Sequence, residues 1–192
     1  IDWVGGGQNY PDVVSQAADE AGGKGFVTDF AGTHDGRVGL PTLSDEQLAQ
    51  MRAAVTLHVG PGTFLPVRHD NLQDHRVQAE RFSIDAATAE TLRDARAAGR
   101  PIVAVGTTTT RVLETIGRGD IVAHTGATDL TILPGHEFRL ISGLMSNFHL
   151  PRSSLLVLVS AFLGRERALA AYTAAVAAGY RFYSYGDATL MR

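Results

Sequence analysis

The run Ile102-Val103-Ala104-Val105, closed by Gly106 and followed by four threonines, constrains this chain more than any other segment. An unbroken apolar tetrad with β-branched residues reads as a buried strand. The glycine at its end frees the backbone to turn, and a helix is expected from about Arg111 to Ile116, before Gly117. Similar punctuation recurs along the chain. Val55 to Val59 is strand-like and stops at Gly60-Pro61-Gly62, and Asp85 to Ala98 reads as a helix with Gly99 at its end. Leu130 to Leu133 is a further strand before Pro134-Gly135. Pro151 opens an apolar helix to Phe162, and Glu166 to Ala178 forms one more. Strands alternating with helices predict an α/β fold, a mixed sheet flanked by helices.

The first fifty residues have a different texture. Nine glycines fall within residues 1–39, and apolar runs between them are short. Pro11 to Glu20 suits a short helix and Lys24 to Phe30 a short strand, while Ser44 and Gln47 form a capping box for a helix to about Ala53. The expected division is a Gly-rich segment over 1–50 and an α/β domain over 51–192.

Composition removes whole classes of function. With no cysteine, a disulfide scaffold, a Cys-ligated metal and thiol catalysis are all excluded. A formal charge of −3 excludes a strongly basic nucleic-acid coat, though not a local basic patch. Of 17 basic residues only Lys24 is lysine, so anion contacts fall to planar guanidinium forks. No basic start with a long apolar run follows Ile1, and Leu155 to Leu163 is far short of the ~20 residues that a membrane span needs. A cytoplasmic protein without membrane partners is expected.

Several places carry chemistry. Gly106-Thr107-Thr108 with Arg111 makes a strand–turn–helix junction whose orphan N–H groups, hydroxyls and guanidinium suit a phosphate or carboxylate. It lacks the lysine and glycine spacing of a P-loop. His58-Val59-Gly60-Pro61-Gly62-Thr63-Phe64 offers a tight turn for close backbone approach, but Phe64 and Pro66 break a methyltransferase-type nucleotide loop. His75 and Glu80 are near enough in sequence to act as an acid–base pair. No spacing of histidines and carboxylates is diagnostic of a metal, and none is expected. Asn147 and His149 precede the helix that begins at Pro151 and are placed to face a cleft at its N-terminus. Tyr180 to Asp187 gathers aromatics with Arg181 and Asp187, a mixture suited to stacking on bases.

Four blocks in one order carry a family resemblance: Leu57 to Val67, Val105 to Glu114, Ser146 to Pro151, and Tyr180 to Asp187. Together, over about Val55 to Leu190, they resemble the S-adenosylmethionine:tRNA ribosyltransferase-isomerase family of queuosine biosynthesis. The resemblance implies the family's large α/β domain without its inserted small β-barrel. It implies S-adenosylmethionine as ribosyl donor, with no metal. The acceptor is 7-aminomethyl-7-deazaguanine in a tRNA with a GUN anticodon; the products are epoxyqueuosine, adenine and methionine. A monomer is expected.

On that basis His149 and Asn147 are the first candidates for proton transfer or hydrogen bonding, with Glu80 and His75 second. Thr107, Thr108 and Arg111 are expected to hold the methionine carboxylate or an RNA phosphate. His58, Gly60 and Gly62 are expected to line the nucleoside cleft, and Arg181, Tyr185 and Asp187 to meet the deazaguanine or the anticodon loop. The sequence departs from the family pattern at three places. Gln78 stands for a histidine, Ser142 for an aspartate, and Pro41-Thr42 for a His-Phe pair in the divergent front. These departures give an alternative, a catalytically impaired paralogue that binds nucleoside or RNA.

Overall fold

A computed structural model describes residues 52–60 and 71–192. The capping box at Ser44, the other expectations for residues 1–50, and Gly62 lie outside the described residues. Two three-stranded sheets and four helices make up the described fold.

The first sheet is antiparallel, in the order β1 (Thr56–Leu57), β2 (Glu80–Ile84), β4 (His124–Thr128). The pair β1–β2 registers Leu57 with Phe82, and His58 N donates to Arg81 O at 2.8 Å beyond it. Along β2 the buried residues Glu80, Phe82 and Ile84 alternate with exposed Arg81 and half-buried Ser83, the period-2 pattern of a strand with one face packed. The second sheet is mixed, as expected, in the order β3 (Val103–Val105), β5 (Gly143–Asn147), β6 (Ala188–Met191). β3 runs parallel to β5 with Val105 opposite Met145, and β6 runs antiparallel with Ala188 opposite Asn147.

Helix α1 (Ala86–Ala97) starts where Asp85 accepts Thr88 N at 2.7 Å, and Thr88 Oγ1 then donates to Ala54 O. The N-cap interaction holds the Asp85 carboxyl below its usual range, through the bond from Thr88 N. Helix α2 (Thr107–Ile116) begins four residues before Arg111, so the threonine run is helical. Gly106 takes a positive φ of 93°, and its carbonyl accepts both the amide and the hydroxyl of Thr110. The hydroxyl bond is the i−4 back-bond of a helical threonine, which satisfies the side chain without strengthening the helix. Helices α3 (Ser154–Leu163) and α4 (Arg165–Ala177) follow, separated by Gly164 at φ 84°. Ser153 caps α3 through Leu156 N, so the helix starts three residues after Pro151.

The strand expected over Leu130 to Leu133 is absent. Leu130 N donates to Thr128 Oγ1, and Leu130 O accepts Arg111 Nε at 3.0 Å. Side chains therefore take the backbone groups that a ladder would use. The strand of this region is β4, just upstream.

The core joins both sheets to α2 and α3. Phe82, Ile121, Leu144, Val112 and Val159 are at most 2% exposed, and burying each contributes roughly 1.5–3 kcal/mol. Phe138 extends this cluster through an edge-to-face contact with Phe162, centroids 4.9 Å apart. Among the described residues no helix is long and apolar enough to cross a membrane.

Candidate functional site

Because β3 and β5 are parallel and register Val105 with Met145, their C-terminal ends lie at one end of the sheet. β6 starts at that end, opposite Asn147. Three segments therefore meet there: the Gly106 turn into α2, the stretch Ser146–His149, and the loop 180–187 before β6. Gly106 N donates to Met145 O at 2.7 Å, which ties the first two. Ligands of sheets with parallel strands bind outside such carboxyl ends.

The N-terminus of α2 brings its orphan N–H groups to this end. Gly106 is the N-cap and supplies no side-chain acceptor, so the first turn at Thr107 and Thr108 has no side-chain cap. Thr107 is buried and Thr108 half-buried. The geometry leaves donors and a dipole that favour negative charge.

His149 is held on two sides. Its Nε2 lies 2.8 Å from Ser146 Oγ, and its backbone N donates to Tyr172 Oη at 3.0 Å. His149 is 8% exposed, and burial lowers its pKa to about 4, so the imidazole is neutral near pH 7. The Tyr172 phenol is pushed up by burial, with the bond from His149 N opposing. Asn147 Nδ2 donates to Gly186 O at 3.3 Å.

The loop 180–187 is a compact turn locked to the same stretch. Tyr183 N donates to Phe148 O at 2.8 Å, and Phe148 N to Asp187 O at 3.3 Å. Asp187 accepts Arg181 N at 2.6 Å and Arg181 Nη2 at 2.9 Å. The hydrogen-bonded guanidinium holds the Asp187 carboxyl below its usual range. The Phe148 ring sits among Tyr172, Tyr180 and Phe182, with centroids 5.3–5.6 Å away. Tyr185 projects outward at 77% exposure and Tyr183 at 51%.

A second cluster centres on Glu80, which is 4% exposed. Its Oε1 accepts Gly60 N at 2.7 Å, and its Oε2 pairs with Arg111 Nη1. Arg111 also donates from Nε to Leu130 O and from Nη2 to Thr128 O at 3.3 Å. The anion that Arg111 meets in this structure is thus a carboxylate of the protein. His75 and Arg111 share a recess of about 20 Å³, whose lining also includes Thr131, Ser154, Leu155 and Leu158. That volume suits about one water molecule. His58 has an exposed side chain on the way to Gly60.

Two of the unusual positions lie away from the sheet end. Ser142 precedes β5 at its opposite end, exchanging bonds with Ile102 N at 3.1 Å and Ile102 O at 2.9 Å. Gln78 is exposed, before β2. No group of three or more His, Asp or Glu residues arranged for a metal occurs among the described residues.

Comparison with known proteins adds to this geometry. Residues 28–191 match a family described as queuosine biosynthesis protein. The chain belongs to that family. S-adenosylmethionine:tRNA ribosyltransferase-isomerase from Anaeromyxobacter dehalogenans is 58% identical over 141 residues, 73% of this chain and 41% of the relative. The enzyme of the same name from Novosphingobium aromaticivorans is 50% identical over 185 residues, 90% of this chain and 54% of the relative. The crystal structure of S-adenosylmethionine tRNA ribosyltransferase from Thermotoga maritima superposes with a TM-score of 0.56 at 49% identity. It covers 59% of this chain and 40% of that one.

This queuosine biosynthesis family member therefore spans about half the length of the relatives it matches. The similarity also extends upstream of Val55 into the Gly-rich front, which the four blocks alone did not reach.

Sequence reasoning missed Ser146 and Tyr172 as partners of His149. Ser146 opens the Ser146–Pro151 block, three residues before the histidine. Tyr172 is 23 residues away on α4, and no local pattern links it to the site.

Proposed function

We propose that this chain acts in S-adenosylmethionine-dependent tRNA ribosyl transfer and isomerisation. The acceptor is 7-aminomethyl-7-deazaguanine in a GUN anticodon, and the products are epoxyqueuosine, adenine and methionine. The observation that carries the reading is the convergence of Thr107–Thr108, Asn147–His149 and the 180–187 loop at one sheet end, in a family whose similar members bear that enzyme's name. The shared name favours an enzyme over the impaired binding module.

The chemistry needs a base beside the sulfonium, a donor to help adenine leave, and a platform for the anticodon loop. His149 and Asn147 serve the reacting groups, with Glu80 and His75 as the second acid–base candidates. Thr107 and Thr108 at the start of α2 receive the methionine carboxylate or an RNA phosphate. Arg111, which the sequence suggested for the same anion, works instead through Glu80, which holds Gly60 N. His58, Gly60 and Gly62 border the nucleoside, while Arg181, Tyr185 and Asp187 face the modified base or its loop. S-adenosylmethionine is a substrate, no metal takes part, and the protein works as a cytoplasmic monomer.

Mass spectrometry of an anticodon stem-loop carrying the aminomethyl-deazaguanine tests the reading. After incubation with the protein and S-adenosylmethionine, the RNA gains the mass of the ribosyl-derived unit. An RNA unchanged in mass, with folded protein and both substrates bound, contradicts it.

A further inference from the structure

His149 has two ring nitrogens, and the structure commits one. Nε2 lies 2.8 Å from Ser146 Oγ, with Ser146 6% and His149 8% exposed. That contact is the only hydrogen bond of the Ser146 hydroxyl among the described residues, and Nδ1 makes none.

Two proton arrangements satisfy the contact, and they differ in what they leave unmade. If Nε2 carries the proton, it donates to Oγ. The buried serine hydroxyl then has no acceptor for its own hydrogen, and Nδ1 is left as a bare acceptor. If the serine donates to Nε2, the hydroxyl hydrogen and the ring lone pair are both satisfied, and only Nδ1–H remains. A buried hydroxyl without an acceptor is costly, whereas Nδ1 is not among the buried unpartnered atoms and can meet solvent or substrate in either form, so the second arrangement wins.

We infer that Ser146 is a positioning residue that holds His149 as the Nδ1–H tautomer, so that the imidazole meets substrate as a neutral hydrogen-bond donor and not as a base. The role rests on the proposed function for its substrate, whereas the tautomer rests on this chain's geometry alone. A neutral imidazole that resists protonation is suited to donating toward developing charge, and burial already keeps this ring uncharged near neutrality. Within the proposed reaction the donor is matched to adenine, whose ring nitrogen gains electron density as its glycosidic bond breaks. The proton beside the sulfonium must then go to another group.

The test is ¹H–¹⁵N correlation of the imidazole rings in histidine-labelled protein, with His149→Gln identifying the His149 signals. His149 is expected as the Nδ1–H form. Ser146→Ala is expected to return it toward the Nε2–H form ordinary in water, and to lower kcat for adenine release roughly tenfold with little change in KM. Ser146→Thr keeps the hydroxyl, restores the Nδ1–H form and recovers most of the loss. Finding Nε2–H in the unaltered protein overturns the inference. So does a changed tautomer in Ser146→Ala with kcat intact. Absence of turnover in unaltered protein that shows the Nδ1–H form counts against the proposed activity and supports the tautomer assignment.

Discussion

Arg111 on α2 and Glu80 at the start of β2 form an ion pair inside the protein, 31 residues apart in sequence. The pair links three segments. Glu80 holds Gly60 N, while Arg111 holds the carbonyls of Leu130 and Thr128. Both side chains are at most 5% exposed, so either charge left without its partner is poorly solvated.

Arg111→Ala therefore loses stability before it loses affinity. Removing one partner of a buried, hydrogen-bonded pair costs about 3–5 kcal/mol. Urea unfolding is expected to show that loss. A variant as stable as the unaltered protein, with only weakened ligand binding, would restore Arg111 as a direct anion ligand.

Glu114 is a second buried carboxylate, 1% exposed, and it organises the chain before β5. Oε1 accepts Leu140 N and Ile141 N at 3.1 and 3.0 Å; Oε2 accepts Arg139 N at 2.8 Å and faces His136 Nε2 at 3.4 Å. Either amide orientation in Glu114→Gln sets an NH₂ group against N–H donors. A loss of roughly 2–4 kcal/mol is expected, together with faster amide exchange at Arg139–Ile141. Unchanged exchange there would show that the loop is held by packing alone.

Gly186 is required by space. A Cβ there would lie 2.5 Å from Arg181 O and 2.6 Å from the Phe182 carbonyl carbon. Both contacts are backbone, so Gly186→Ala must open the turn that brings Arg181 to Asp187. Loss of about 1–3 kcal/mol is expected, with exchange protection lost at Arg181 N and Asp187 N. Retained protection at both amides would refute the tight turn.

His149 gives stability a pH dependence of known sign. Its folded pKa is about 4 against an ordinary 6.5, so between these values the unfolded chain binds the proton more readily. The contribution is fully present above pH 6.5 and is lost as pH falls toward 4. Between pH 7 and 4.5 the unaltered protein should lose roughly 2–3 kcal/mol more than His149→Gln. Parallel pH profiles for the two proteins would mean that the histidine titrates normally.

What the sequence made legible follows from where side chains obey local rules. The Ile102–Val105 strand, the helix capped by Asp85 and the Gly106 turn emerged because apolar runs end at residues with a fixed conformational purpose. β2 escaped notice because its first inward position is Glu80, an acid whose partner lies far along the chain. The Leu130–Leu133 run misled because Arg111 and Thr128 claim the backbone of Leu130. For the site, the motifs named Asn147, His149 and the 180–187 loop. Their meeting at one sheet end depends on the β3–β5–β6 order, which no local pattern encodes.

The most direct measurement is chromatographic detection of adenine from S-adenosylmethionine, with and without the anticodon stem-loop. Adenine that appears only with the RNA, and falls sharply in His149→Gln, is the predicted result. No adenine from folded protein with both substrates present, or release indifferent to the RNA, would contradict the proposed transfer.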